Sequence, residues 1–356
     1  MKSDAAYARS DKRLYLDVLR AWACISVIFI HICAYYSQTD VAGVNYLIGN
    51  AFNSVARAAV PLFVMISGAL MLDEGYRCTK EKLKRMILKR ATFFVIWSSL
   101  YALLFHVAAP LLKGEALDAQ AFLESLLGGY HHLWFLPMMI GLYLILPLLR
   151  LWVRKENREH VAYYLVLCFV FTSALPFLTE KLSKLFPAAS CLYSLTDNLH
   201  LQYVAGYTGY YVLGWYLNTF EVRRRGVWYA AGVAGLLLTF GGTQFFSLLA
   251  GEDKNFYSVF AVGVVCFSSA LFLWAKALFG SRAHDQSVFC RFVRLVCADS
   301  MGVYAIHVAV IQVLFRLFGL GYAGVMIPLI AVITFAVSLA AARILRLMPL
   351  ARDYMV

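Results

Sequence analysis

Residues 15–31 read YLDVLRAWACISVIFIH, an apolar run that holds an arginine and a histidine eleven residues apart. Three helical turns take about 10.8 residues, so Arg20 and His31 share a helix face at a spacing of roughly 16 Å along the axis. Arg57 opens a second run, RAAVPLFVMISG, and His307 closes SMGVYAIH with Tyr304 one turn before it on the same side. A charged side chain at bilayer depth costs at least about 2.5–3.5 kcal/mol on insertion scales, so each needs a local reason to be there. Two arginines and two histidines on three helices predict a polar interior, wet or fully hydrogen-bonded. A histidine in such a place is a natural general base because its ordinary pKa lies near neutrality. A buried arginine beside it binds phosphate or steadies a developing oxyanion. The combination suits acyl transfer from a thioester to a hydroxyl, and on residue types alone it suits a proton-coupled transporter almost as well. Bland readings stand beside these: Arg20 can snorkel to the interface and pair with Asp17, and His31 can be a passive hydrogen-bonder between helices. His106 falls at the outer end of its span, and His131, His132 and Trp134 fall at another outer boundary, where aromatic belts are common.

The elements that must position these groups follow from composition. Apolar residues make up 62% of the 356 and charged residues 15%, well short of the quarter or so carried by a soluble domain. Runs of about 20 apolar residues recur throughout, each able to cross a hydrocarbon core. They predict an all-α polytopic transmembrane bundle of about ten spans, near 14–37, 46–71, 91–112, 132–151, 160–179, 201–219, 227–249, 256–279, 297–318 and 323–345. The chain 1–356 then forms a single membrane-embedded domain with both termini cytoplasmic. The net charge of +12 fits this layout, because 24 of the 32 Lys and Arg residues fall on the inner side. The outer loops hold only Lys113, Lys181, Lys184 and Lys254, and four cations (Arg20, Arg57, Lys276, Arg316) lie within spans. That alternation is the positive-inside pattern. The basic charge therefore sets orientation and meets lipid surfaces, and nucleic acid is not an expected partner.

Eight cysteines suggest no framework once placed: most fall in spans, Cys78 and Cys290 in cytoplasmic loops, and only Cys191 clearly outside. Neither a disulfide scaffold nor a metal site is expected. The first apolar run has a basic flank but no obvious cleavage site, so it is expected to be a retained span. Residues 79–90, TKEKLKRMILKR, set Leu83, Met86 and Ile87 on one face among basic residues, a pattern suited to an anionic membrane surface. Residues 118–127 predict a short amphipathic helix, and 180–200 form the longest outer connection. Gly319, Gly321 and Gly324 spell G-x-G-x-x-G, but without a preceding strand the match carries no dinucleotide site.

Together these pieces resemble the acyltransferase family 3 membrane enzymes. Tyr15–His31 carries the family's Arg-x10-His spacing, and Arg57–Gly68 is similar to its second-span motif. His132–Leu149 (HLWFLPMMIGLYLILPLL) is similar to the fourth-span motif, Gly209–Leu217 (GYYVLGWYL) also matches, and Ser300–His307 fits S-x-G-x-Y-x-x-H. Within the family the chain is most similar to the enterobacterial common antigen O-acetyltransferase branch. The resemblance implies transfer of an acyl group, usually acetyl, from cytoplasmic acyl-CoA to a hydroxyl of a surface polysaccharide or lipid-linked sugar, in the bacterial inner membrane. Arg20 and His31 carry over as the motif pair it implies, and with Arg57 and His307, read from the residues, they are the catalytic candidates. Arg20, Lys84, Arg85 and Ser67 are candidates for holding acetyl-CoA, and Trp134, Tyr143, Tyr304 and His132 for meeting the acceptor. No metal is expected. Membrane lipids, a second copy of the chain or a polysaccharide-assembly protein are the candidate partners. A glycolipid transporter or flippase is the alternative, which predicts paired broken helices in two related halves; no such self-similarity joins residues 1–178 to 179–356.

Overall fold

A computed structural model describes residues 13–186, 191, 194, 198–200, 202–251, 255–282, 286–318 and 323–355. Gly319, Gly321 and residues 187–190, 192–193 and 195–197 of the 180–200 connection lie outside the described residues. Every regular element among the described residues is helical. Nine helices are long and apolar enough to cross a membrane, among the described residues. The tenth expected span coincides with a helix over Gln202–Thr219. Its five tyrosines and three glycines make it less apolar than the others, so it belongs to the bundle by packing more than by hydropathy.

Helix α1 (Leu14–Tyr36) is the central post. Around it pack α2 (Val44–Ala56), α3 (Ala59–Met71), α10 (Val262–Phe279), α11 (Val288–Phe318) and α12 (Ile327–Leu347). Helix α4 (Lys80–Leu103) packs on α5 (Ala119–Gly128) and α6 (Phe135–Trp152). Helix α7 (Arg158–Phe169) leans on α8 (Gln202–Thr219), α8 on α3, and α9 (Arg225–Ala250) on α10. A short α13 (Pro349–Tyr354) folds back on α4, where the Trp97 indole donates to the Met355 carbonyl at 3.2 Å.

Three departures from straight helices have local causes. The span expected at 46–71 is broken into α2 and α3 at Arg57 and Ala58. Pro61 has no N–H for the Arg57 carbonyl and its ring crowds that turn, so the helix opens there. Helix α4 passes through a π turn, Leu104–Ala108, just before Pro110, and α7 through another, Val170–Ala174, just before Pro176. The same missing donor explains both. Helix α8 kinks at Gly206, whose φ is −41° and ψ −116°.

Two expectations are corrected at the inner side. Residues 79–90 do not form a separate surface helix. They begin α4, capped by the Thr79 hydroxyl accepting from the Lys82 amide, and Leu83, Met86 and Ile87 pack against the core. Cys290 is not in a loop, because α11 starts at Val288 and buries the thiol at 3% exposure. All eight cysteines are free.

Close helix packing rests on small residues, as lipid-embedded bundles require. A Cβ on Gly68 would stand 1.8 Å from the Tyr211 carbonyl oxygen, and one on Gly214 would stand 2.0 Å from that of Met65. The α3 and α8 backbones therefore touch. Gly235 and Gly263 do the same for α9 and α10. At the inner side Arg150 donates to the carbonyls of Met71, Asp73 and Tyr76, at 2.5, 3.0 and 2.9 Å. Arg13 ties α1 to the same loop through Asp73 at 2.6 Å.

Candidate active site

Four imidazoles gather near the outer end of α1. His31 comes from α1, His307 from α11, and His131 with His132 from the turn that leads into α6. The His31 ring centroid lies 5.1 Å from His307, 5.5 Å from His131 and 6.1 Å from His132, and His132 lies 5.4 Å from His307. Helices α1 and α11 run parallel, since Cys297 meets the Asp17 carbonyl at one end and His307 meets His31 ten residues later. The parallel run is what brings two motifs nearly 280 residues apart to one depth.

Backbone carbonyls fix two of the tautomers. A carbonyl only accepts, so His307 Nδ1 carries the hydrogen that it shares with the carbonyls of Tyr304, at 2.7 Å, and Val303, at 3.2 Å. Its Nε2 is then a bare lone pair, buried and without a hydrogen-bond partner. His132 is the mirror case: Nε2 donates to the Ala305 carbonyl at 3.3 Å, and the buried Nδ1 lone pair is unpartnered. A buried lone pair without a donor is costly, and here two of them belong to rings that flank His31. His31 alone of these three also lines a cavity of about 220 Å³, with His131, Tyr35, Gln38 and Val308. Burial holds the His131 imidazole below its ordinary pKa, so it is neutral at pH 7.

An aromatic frame fixes the turn. The Tyr304 hydroxyl donates to the His132 carbonyl, and the Gln312 amide to the Tyr130 hydroxyl. From α4, the Tyr101 hydroxyl donates to the Ala305 carbonyl at 2.7 Å, and its ring stacks on Tyr130 at 4.7 Å. Tyr101, Tyr130 and Gln312 carry no sequence motif. The sequence pointed to this boundary only through His131, His132 and Trp134.

Arg57 stands at the break between α2 and α3. Its Nε donates to Asn53 Oδ1 at 3.0 Å, one terminal nitrogen reaches the Tyr257 carbonyl at 3.4 Å, and the guanidinium lies 4.6 Å from the Tyr257 ring centre. Among the described residues no carboxylate pairs with it. The other cations at depth are spent locally. Lys276 caps the last carbonyls of α8, Leu217 at 2.8 Å and Asn218 at 3.0 Å, and Arg316 lies 5.8 Å from the Phe105 ring centre.

The remaining candidates are not in the histidine group. Arg20 lies on the inner part of α1, 3.6 Å from Asp17 Oδ1 and facing Cys297, about 16 Å along the axis from His31. Lys84 and Arg85 are exposed on the first turns of α4, about 24 Å below Tyr101 on the same helix. Ser67 donates to the Phe63 carbonyl of its own helix at 2.9 Å. Tyr143 is buried midway along α6, about one helix half from the histidine turn. Trp134 caps α6, is 41% exposed and meets Tyr207 ring to ring at 6.0 Å. His106 sits in the π turn of α4.

A family model described as an acyltransferase domain, that of acyltransferase family 3, matches residues 13–346. The chain belongs to acyltransferase family 3. The match runs from the first helix through α12 and takes in every histidine and arginine of the group just described. This family 3 member is thus an integral membrane acyltransferase, an enzyme that needs an acyl donor, and the transporter alternative gives way to it. No curated protein matches the chain, and no solved structure does.

Proposed function

We propose that this family 3 acyltransferase moves an acetyl group from acetyl-CoA, held from the cytoplasmic side, to a hydroxyl of a surface polysaccharide or lipid-linked sugar. Its setting is a bacterial inner membrane, and the whole chain is one catalytic domain of the O-acetyltransferase kind. The observation that carries this is His31 at the wall of a cavity, between two imidazoles whose tautomers are set by backbone carbonyls. Turned so that its own N–H points at one of those lone pairs, His31 would keep its second nitrogen as a base facing the cavity. The acceptor hydroxyl gives that nitrogen its proton as its oxygen bonds to the thioester carbonyl carbon. The carbon–sulfur bond then breaks, and the proton passes from the imidazolium to the departing thiolate. Arg57, half-buried and without a carboxylate partner among the described residues, supports the reading by offering charge to the oxyanion of the tetrahedral intermediate. Arg20, Lys84 and Arg85 lie below, where the donor's phosphates would be held, and His132 and Tyr304 hold the turn on which the acceptor rests.

The test is transfer of radiolabelled acetyl from acetyl-CoA into glycan or lipid-linked sugar by membranes holding the wild type or His31→Ala. Loss of a general base predicts a fall of about 10²–10⁴-fold, with the variant present at normal level. Equal labelling from both would remove His31 from the chemistry.

A further inference from the structure

The cavity that holds His31 is not walled by the acceptor candidates read from the sequence. Trp134, Tyr143, Tyr304 and His132 are all absent from its lining. In their place stand Ala34 and Tyr35 from the last turn of α1, Gln38 just past it, His131 from the turn, and Val308 and Ile311 from α11. The wall mixes two kinds of surface. Ala34, Val308 and Ile311 offer only carbon, whereas His31, His131 and Gln38 offer hydrogen-bonding groups. The Tyr35 ring lies flat on Phe315, at 4.2 Å with the planes 9° apart, which holds that part of the wall in place. Gln38 is exposed, and its amide has no hydrogen-bond partner among the described residues. Neither ring nitrogen of His131 has one there either, although the ring itself is held against Tyr130 at 4.5 Å. Burial keeps His131 uncharged at pH 7. Among the described residues no lysine, arginine, aspartate or glutamate lines the cavity.

These features choose among acceptors. A hydroxyl both gives and accepts a hydrogen bond, so it matches an amide or a neutral imidazole whichever way each is turned. A carboxylate, phosphate or ammonium would leave water for a wall with no counter-charge, which is costly. The ligand that fits is uncharged and rich in hydroxyls, with a C–H face for the carbon side of the wall. A neutral pyranose has all three properties. We propose that this cavity seats the acylated residue of the acceptor as an uncharged sugar ring, with Gln38 and His131 as the specificity-determining groups that hold the hydroxyls beside the one presented to His31. The inference rests on the proposed acyl transfer to a glycan or lipid-linked sugar and names the class of sugar that the site admits. Gln38 belongs to none of the sequence motifs, and only its place in the cavity wall assigns it this role.

Occupancy is read without acetyl-CoA, so the result stands apart from whether acetyl transfer is observed. The full-length protein carrying Ala34→Cys, in nanodiscs, is treated with a small thiosulfonate reagent, and modification at position 34 is followed by mass spectrometry. Methyl glycosides of glucose, galactose and N-acetylglucosamine are compared with methyl glucuronoside as protectants. At least one neutral glycoside should slow the modification, and the glucuronoside should not. Adding Gln38→Ala should raise the glycoside concentration needed for protection about tenfold, the loss expected for one neutral hydrogen bond. Adding Gln38→Lys instead supplies a counter-charge and should let the glucuronoside protect, a gain that a misfolded protein could not show. Protection by the glucuronoside of the Gln38 protein as strong as by any neutral glycoside would overturn the proposal, and so would protection that Gln38→Ala leaves unchanged. If no glycoside protects while His31-dependent acetyl labelling persists, the acyl transfer stands and the sugar seat does not.

Discussion

At the residue scale the chemistry turns on which nitrogen of each imidazole is free. His307 and His132 each spend one nitrogen on a carbonyl and keep one lone pair in the dry interior. His307→Asn keeps a donor for the Tyr304 carbonyl but removes that lone pair. It should lower kcat by about 10²-fold or more while the protein accumulates normally; an unchanged kcat would assign His307 to packing alone. His131 supplies a pH prediction. Burial lowers its pKa, so the ring stays neutral through pH 7 and protonates only below the ordinary imidazole range. A charge there, with its ring 5.5 Å from that of His31, would oppose proton uptake by the base. The rate should therefore hold from neutral pH down past about 6.5 before it falls. A pH profile of kcat/KM whose acid limb lies at or above that value would contradict this.

At the scale of elements, the site depends on helices that touch at their backbones. Gly68 and Gly214 let α3 lie on α8 with no side chain between them. Gly214→Ala forces a methyl group toward the Met65 carbonyl. Overpacking of this kind costs about 1–3 kcal/mol, and it should show as a Tm several degrees lower in a detergent-solubilised thermal melt. A Tm equal to wild type would mean that the two helices are free to separate. Pro61 acts at the same scale, since the break it makes between α2 and α3 is what sets Arg57 at a helix end instead of in a helix wall. Asp299 joins α11 to α12 by lying 3.3 Å from Arg343 and 3.0 Å from Arg346, which fixes the helix that carries His307 just below the site.

At the scale of the molecule, the charge pattern predicts sidedness. Arg85 lies on the Lys- and Arg-rich side and Lys113 on the sparse side, so the two should differ in access. In intact cells, a cysteine introduced by Lys113→Cys should react with a membrane-impermeant maleimide, and one introduced by Arg85→Cys should react only after lysis. The reverse pattern would invert the bundle and place the histidines near the cytoplasmic face. With the predicted sidedness, the proposed donor's charged end and the proposed acceptor would meet the protein from opposite faces. Arg20 and His31, about 16 Å apart on one helix, mark the two ends of that division.

Long apolar runs and the sorting of basic residues determine a membrane helix bundle, because a backbone in hydrocarbon must satisfy itself within each helix. The pairing of Arg20 with His31 along α1 was also legible, since one unbroken helix fixes the phase and rise of both. The group that includes His31, His131, His132 and His307 was not, because it depends on α1 and α11 running side by side and on a turn held by Tyr101, Tyr304 and Gln312. No local periodicity encodes such contacts between distant helices. The sequence likewise offered Tyr143 and Trp134 together as acceptor candidates, whereas tertiary packing buried one midway along α6 and put the other at the outer rim. The break at Arg57 lay between these cases: Pro61 was visible in the chain, but only the packed bundle shows the opened turn holding that cation on Asn53 and the Tyr257 carbonyl.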